Sequence, residues 1–474
     1  MPIWDWENFQ EVLTSGNYRI VDTGPLHGPI NSFHIGRDEQ LRIVLTTFSD
    51  GDATAPPNNI VEGQLRINTD SIKFESLFGS IVLGVGVTSL NHTVHRNHKT
   101  GTSSTEERSI IHSLERNSQI TPAEMTIDWV INLDDSLLHW PHSKSTKTTE
   151  IEILHHREWG EEFNLSSEVK HHSIGHSCLH LTIDGIEFAV GTCKTAAEPK
   201  LKAGYILYKG EVPQSQRSKI MDCVSFALGV CLIPIGYATF NRDGRPNAFK
   251  AIAGYTQKGQ VFSMNTLPPA PLGFQYIHEV DPAVIHRMVA GLYKNYETLN
   301  LKSLFWGYWH ARTAPVHIAA VHYGALIEAL QKRFTEHADD KSISKIVEKE
   351  EWALLKSGLV AALKESGIQG MTHQIFLEHI HNLNRVPQKI FMQRFLAKVG
   401  IALGEHELRA WQQRNHAAHG NEIVGDGYTQ TIRETKLLMA VFHRMLLKIT
   451  NSTDYYFDYF TLGFPKRLLS EPAS

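Results

Sequence analysis

Arg414, Asn415, His416 and His419 fall within the run Arg414-Asn415-His416-Ala417-Ala418-His419. Arginine is permanently charged and forks two donors toward a phosphate. Histidine gives or takes a proton near neutral pH. Cleaving RNA through its own 2′-hydroxyl needs those functions: a base for the hydroxyl proton, an acid for the leaving 5′-oxygen and a cation for the crowded phosphorane. The substrate brings its own nucleophile, so no metal-bound water is required. The products would be a 2′,3′-cyclic phosphate and a 5′-hydroxyl. Asn415 can donate or accept at the phosphate, and His416 is a second proton carrier or a structural donor.

The spacing imposes a condition. On a continuous helix, residues five apart are offset by about 140° and do not share a face. Arg414 and His419 therefore converge only if the helix ends between them, or if two chains share the site. Gly420 predicts a helix stop directly after His419. A histidine at a helix C-terminus sits at the negative end of the dipole, which favours its protonated form and suits a general acid. Glu328 is a candidate to orient Arg414 across the bundle. The competing reading makes Glu328 a solvated partner of Lys332, four residues on.

Other constellations carry less. His416-x-x-His419 has the spacing of a metal pair, and His155-His156, His171-His172 and His139-x-x-His142 add imidazoles. Metal sites need three or four ligands with a fixed outer shell, and no Asp or Glu stands at close helical spacing to that pair. No metal is expected. Gly84-Val85-Gly86 lacks the following glycine and lysine of a phosphate loop and reads as a buried strand, so no cofactor is expected. Arg96, His98 and Lys99 read as part of a solvated loop. The aromatic run Tyr455 to Phe464 reads as packing of the C-terminal tail rather than a base-stacking platform.

The elements that must position these residues change character along the chain. Up to residue 213 the sequence alternates in short runs: Leu41–Leu45, Val61–Ile67, Ile72–Glu75, Met125–Ile131, Ile151–Leu154. Leu179–Ile183 and Ile186–Val190 flank Asp184-Gly185, whose positive φ angles suit a tight hairpin. This predicts an antiparallel β-rich domain, sandwich- or barrel-like, over 1–213. The polar stretch Asn91–Asn117 is expected to be a long exposed loop. Residues 214–275 read as a connecting module with a helix over Gln216–Leu232 and short strands. A helical bundle follows over 276–465, with helices at 281–299, 314–335, 342–365, 386–399, 405–418 and 428–450. Asp281-Pro282 supplies its start signal. Residues 466–474 are left as a tail. The fold class is α+β.

Composition sets outer limits. A chain of 474 residues suggests two or three domains at roughly 100–200 residues each. The net charge of -4 means that any attraction for nucleic acid must be local. Of the four cysteines, none forms a C-x-x-C pair, and Cys223 and Cys231 read as buried thiols. No signal peptide or membrane span is evident, so a reduced cytoplasmic location is expected.

Taken alone, Arg414 and His419 read as polar residues at a helix end. Their context changes that. The run Trp411 to Gly420 (WQQRNHAAHG), between two helices of a C-terminal bundle, resembles the signature of HEPN ribonucleases over roughly residues 276–465. The β-rich region before such a bundle resembles ApeA-type abortive-infection proteins. The resemblance implies Arg414 and His419 as the catalytic pair, with Asn415 as the accompanying polar residue. It implies a homodimer through the helical domain, or a higher oligomer, with two motifs brought together. It implies cleavage of RNA, with tRNA a candidate substrate, in anti-phage defence. Activity would be controlled by the N-terminal domain and released by a phage-encoded protein. The competing expectations are a non-catalytic sensor that uses the bundle for dimerisation and, more weakly, a histidine–metal hydrolase.

Overall fold

The computed structural model describes residues 9, 13, 17–51, 70–116, 122–134, 137–138, 140, 143–147, 153–156, 161–164, 172–193, 202–242, 246–253, 270–273, 280–337, 343–418 and 427–473; within 143–176, at 316–317 and over 413–418 this covers the backbone alone. The chain divides into two compact units, Met1–Leu267 and Pro268–Ser474. The first is built of antiparallel sheet and the second chiefly of helices, so the fold is α+β.

A ten-stranded sheet dominates the first unit. Across it lie β1 (Tyr18–Asp22), β4 (Ser71–Ser76), β5 (Ile81–Val85), β8 (Ser113–Arg116), β18 (Pro246–Ile252), β17 (Ile233–Phe240), β9 (Met125–Ile131), β16 (Ala203–Lys209), β15 (Ile186–Thr192) and β14 (Cys178–Ile183). A four-stranded sheet holds β2 (Ser32–Arg37), β3 (Ile43–Asp50), β7 (Thr102–Ile111) and β6 (Thr88–Asn97) in that order. Two further hairpins pair β10 (Ser143–Lys147) with β13 (His172–His176), and β11 (Ile153–His156) with β12 (Glu161–Asn164). The chain passes from the four-stranded to the ten-stranded sheet within one residue, His112, between β7 and β8. The sheets also touch through side chains. The Phe33 and Phe74 rings lie 5.2 Å apart, and Arg37 donates from its two Nη atoms to the Ile252 and Ile235 carbonyls at 2.8 Å.

Burial differs sharply between the middle of the large sheet and the edge of the small one, where β6 is exposed at nearly every position. β9, between β16 and β17, is buried at every position after Met125. Its one charge, Asp128, is answered by Arg217 of helix α1 (Gln214–Leu228). Arg217 also donates through Nε to the Val212 carbonyl at 3.0 Å, and its guanidinium lies 4.3 Å from the centre of the Tyr237 ring. Burial pulls the Arg217 pKa down to about 10. One ion pair thus clamps α1 onto the sheet. The Asp184-Gly185 turn joins β14 to β15 as its sequence predicts, with φ of 53° and 79° and Ile183 opposite Ile186. Gly84 lies in β5, where a Cβ would come within 2.8 Å of Ile72. Cys223 and Cys231 are buried free thiols, and burial raises the Cys223 pKa well above its ordinary range.

Three expectations are corrected. Asn91–Asn117 is not a long loop: its first part pairs as the β6–β7 hairpin and the chain then enters β8. Its residues are polar because β6 is an edge strand exposed at nearly every position. The stretch 214–275 is not a connector: β17 and β18 sit inside the ten-stranded sheet, and the first unit runs on to Leu267. Residues 466–473, expected as a tail, are part of the helical unit's packing. β20 (Lys466–Leu468) pairs with β19 (Tyr455–Phe457), and Leu469 and Ala473 are buried. Tyr456, Phe457 and Tyr459 are buried too, while Tyr455, Phe460 and Phe464 are half-buried. The expected strand Val61–Ile67 lies outside the described residues.

The second unit opens on α2 (Pro282–Lys294), capped by Asp281, whose side chain accepts from the Ala283 amide at 2.8 Å. Then come α3 (Leu301–Thr313), α4 (Val316–His337), α5 (Lys349–Glu365), α6 (Gly370–Asn382), α7 (Gln388–Val399), α8 (Glu405–Ala418) and α9 (Gly427–Ile449). α4 and α9 pack together, and α8 packs against both. Two helices have no counterpart in the sequence reading. α3 is rich in aromatic residues and contains Gly307, both poor helix formers. α6 buries only Ile380 along its length, so it shows no apolar stripe. Among the described residues, no helix is long and apolar enough to cross a membrane.

Breaking a buried ion pair from one side leaves an unpaired buried charge, at a cost of about 3–5 kcal/mol. Arg217→Ala is therefore expected to lower the urea midpoint by a stability loss of that order. A midpoint shift below about 1 kcal/mol would show that Asp128 finds water in the folded protein.

Candidate functional site

α8 carries three of the residues singled out above. Arg414, Asn415 and His416 lie on its helical backbone; His419 and Gly420 lie outside the described residues. The start of the helix is fixed by Glu407. Its Oε2 accepts the Gly404 amide at 2.9 Å, which satisfies one of the donors left open at a helix N-terminus. Its Oε1 accepts from Arg444 Nη1 of α9 at 2.6 Å and from the Ala473 amide at 3.2 Å. Both side chains of the pair are fully buried. Arg444 spends its other donors on carbonyls: Nε and Nη2 reach Leu469 at 3.2 and 3.0 Å, and Nη2 reaches Ala402 at 2.8 Å. Four segments meet at this pair: the turn before α8, α8 itself, α9 and the C-terminal strand.

Helical geometry carries that register along α8. Glu407, Ala410 and Trp411 form its buried face. The Arg414 backbone position lies seven residues past Glu407, within about 20° of the same direction and about 10 Å along the axis. The positions of Asn415 and His416 are turned from Glu407 by about 80° and 180°. The three therefore do not share one face. The helix is continuous to Ala418. Arg414 thus sits on unbroken helix for the four residues that follow, which is the arrangement that calls for a turn at His419 or a second chain.

Glu328 is an exposed residue of α4. Lys332, four residues on, is 3.9 Å from Glu336. Among the described residues no group of three or more His, Cys, Asp or Glu side chains is arranged to hold a metal ion. His155, His156 and His172 lie on strands of the first unit, and His139, His142 and His171 lie outside the described residues.

Sequence reasoning missed three features. Glu407 follows Gly404 by three residues, the offset of a capping carboxylate, and that signal is readable in the chain. Arg444 gives no local signal. A second Arg-x4-His spacing, Arg312 to His317, was also readable. There α3 ends at Thr313 and α4 starts at Val316, so a helix break does lie between arginine and histidine. Arg312 Nη1 donates to the Tyr308 hydroxyl at 3.4 Å, and that hydroxyl lies 2.9 Å from Nε2 of His443. His443 is wholly buried. Burial, with the nearby Arg312 charge adding to it, pushes its pKa down to about 3.

No family model, no curated protein and no solved structure matches the chain.

The buried histidine sets a pH response. His443 is neutral in the folded protein above about pH 3, while an unfolded histidine takes a proton below about pH 6.5. Its contribution to stability is complete above pH 6.5 and is lost as pH falls toward 3, by at most about 1.4 kcal/mol per pH unit. Denaturant titrations of wild type and His443→Gln between pH 7 and 4 should show the shallower slope in the variant. Parallel slopes would contradict burial of a neutral imidazole.

Proposed function

We propose that the helical unit is a metal-independent endoribonuclease of the HEPN type and that the chain acts in anti-phage defence. The observation that carries the reading is that Arg414, Asn415 and His416 of the run Arg414 to His419 lie on a helix whose start is locked by the buried Glu407–Arg444 pair. In this reading Arg414 binds the scissile phosphate and neutralises the phosphorane. His419 protonates the leaving 5′-oxygen. Asn415 orients a non-bridging oxygen. A histidine from a second copy takes the 2′-hydroxyl proton, because one α8 presents its motif residues in divergent directions. The chain is then a homodimer whose helical units share the site, and Glu328 and His416 support it. The first unit acts as sensor or restraint, RNA such as tRNA is the substrate, and a phage-encoded protein is the trigger.

The pair Arg312 and His317 favours a second location for the same chemistry, since a helix break separates them. One assay separates the two. Purified protein is incubated with RNA in EDTA, with phage lysate added as trigger, and the ends formed are analysed. Wild type should leave 2′,3′-cyclic phosphate ends. Arg414→Ala and His419→Ala should each lower the rate by at least about 100-fold, the scale of a lost acid–base or charge-stabilising group. Loss with Arg312→Ala but not with Arg414→Ala would move the site, and RNA intact under every condition would remove the activity.

A further inference from the structure

Between Glu297 and Glu328 the chain has no acidic residue, while Lys302, His310, Arg312, His317 and His322 all fall there. With its histidines neutral the stretch carries a formal charge of +2, from Lys302 and Arg312, in a chain whose net charge is -4. The stretch comprises α3 and the first half of α4. It meets solvent along one line of α3, where Lys302, Trp306 and His310 are four residues apart and exposed. Their spacing places them on one helix face.

Trp306 is the informative member. It is 46% exposed, the one exposed tryptophan among the described residues, whereas its neighbour Trp309 is 6% exposed. The ring of His310 stands edge-on to it, with centroids 4.7 Å apart. Nearly half of the Trp306 surface still faces solvent. Arg312 is turned about 120° from Trp306 around α3 and lies off this stripe. Its guanidinium lies 5.6 Å from the centre of the Tyr308 ring and reaches the Tyr308 hydroxyl, and no carboxylate among the described residues pairs with it. A half-buried guanidinium without a counter-ion attracts an anion.

We propose that the exposed stripe of α3 is a docking surface for single-stranded RNA, with Trp306 stacking on an unpaired base and Lys302 meeting a flanking phosphate. The choice of RNA rests on the ribonuclease reading; the choice of single strand rests on Trp306, because a duplex offers no free base face to a side chain on a convex helix. α4 contacts both α3 and α8, so the stripe belongs to the same packed layer as the Arg414 helix. The surface gives the acidic chain a way to hold substrate, and stacking makes that hold tolerant of sequence.

The test is binding of a short fluorescein-labelled oligouridine to the full chain carrying His419→Ala, in EDTA, followed by anisotropy across a salt series. Lys302 and Trp306 are exposed, so their substitution leaves folding intact. Trp306→Ala should weaken binding by about tenfold, and Trp306→Phe should restore most of it. Lys302→Glu should weaken binding and reduce the salt slope by about 0.7. A matched RNA duplex should bind more weakly than the single strand. Unchanged affinity in both Trp306→Ala and Lys302→Glu, or a duplex held as tightly as the single strand, overturns the proposal. Cleavage that depends on Arg414 alongside unchanged binding would remove this surface and leave the ribonuclease reading standing. Binding that depends on Trp306 with no cleavage by wild type would do the reverse.

Discussion

The helical unit depends on two opposite charges meeting out of water. Glu407 and Arg444 are both fully buried, and neither would be tolerated there alone. The arrangement holds because the hydrogen-bonding groups around the pair are answered. One carboxylate oxygen caps α8, the other receives Arg444 and the Ala473 amide, and the rest of the guanidinium is spent on the Ala402 and Leu469 carbonyls. Such a pair adds less to net stability than to register, since its desolvation offsets much of the attraction. Register is what a motif helix needs. An axial slip or rotation of α8 would break the cap, the ion pair and the contact with the C-terminal strand together.

The first unit uses the same device for another purpose. Asp128 and Arg217 join the central strand to α1 and let a sheet with two buried faces carry a charge. His443 shows the alternative solution, a buried titratable group kept neutral beside a tyrosine hydroxyl and near an arginine. Its depressed pKa makes it unsuited to proton exchange near neutrality.

Elements with a regular sequence pattern, or with a specific cap or turn, were legible in the sequence. β9 and α8 have the limits that their patterns predict, and the Asp281 cap and the Asp184-Gly185 hairpin turn form as their chemistry requires. Elements without such a pattern were not. The β6–β7 hairpin is too exposed to show alternation, and α6 buries too little to show a stripe. β17 and β18 look like connectors because their place in the sheet depends on pairing with β9 and β8, distant in sequence. At the site, residue types and spacing were readable, and so was the geometric problem of an unbroken helix. The network that fixes α8 was not, because Arg444 and Ala473 lie 37 and 66 residues from Glu407.

The central claim is that Arg414 performs RNA cleavage in the cell. It is tested most directly by sequencing RNA 5′-hydroxyl ends from infected cells that express wild type or Arg414→Ala. Wild type should yield a defined set of new ends, absent in the variant at equal protein level. The same ends in both strains, or none in a wild type that still protects against phage, would contradict it.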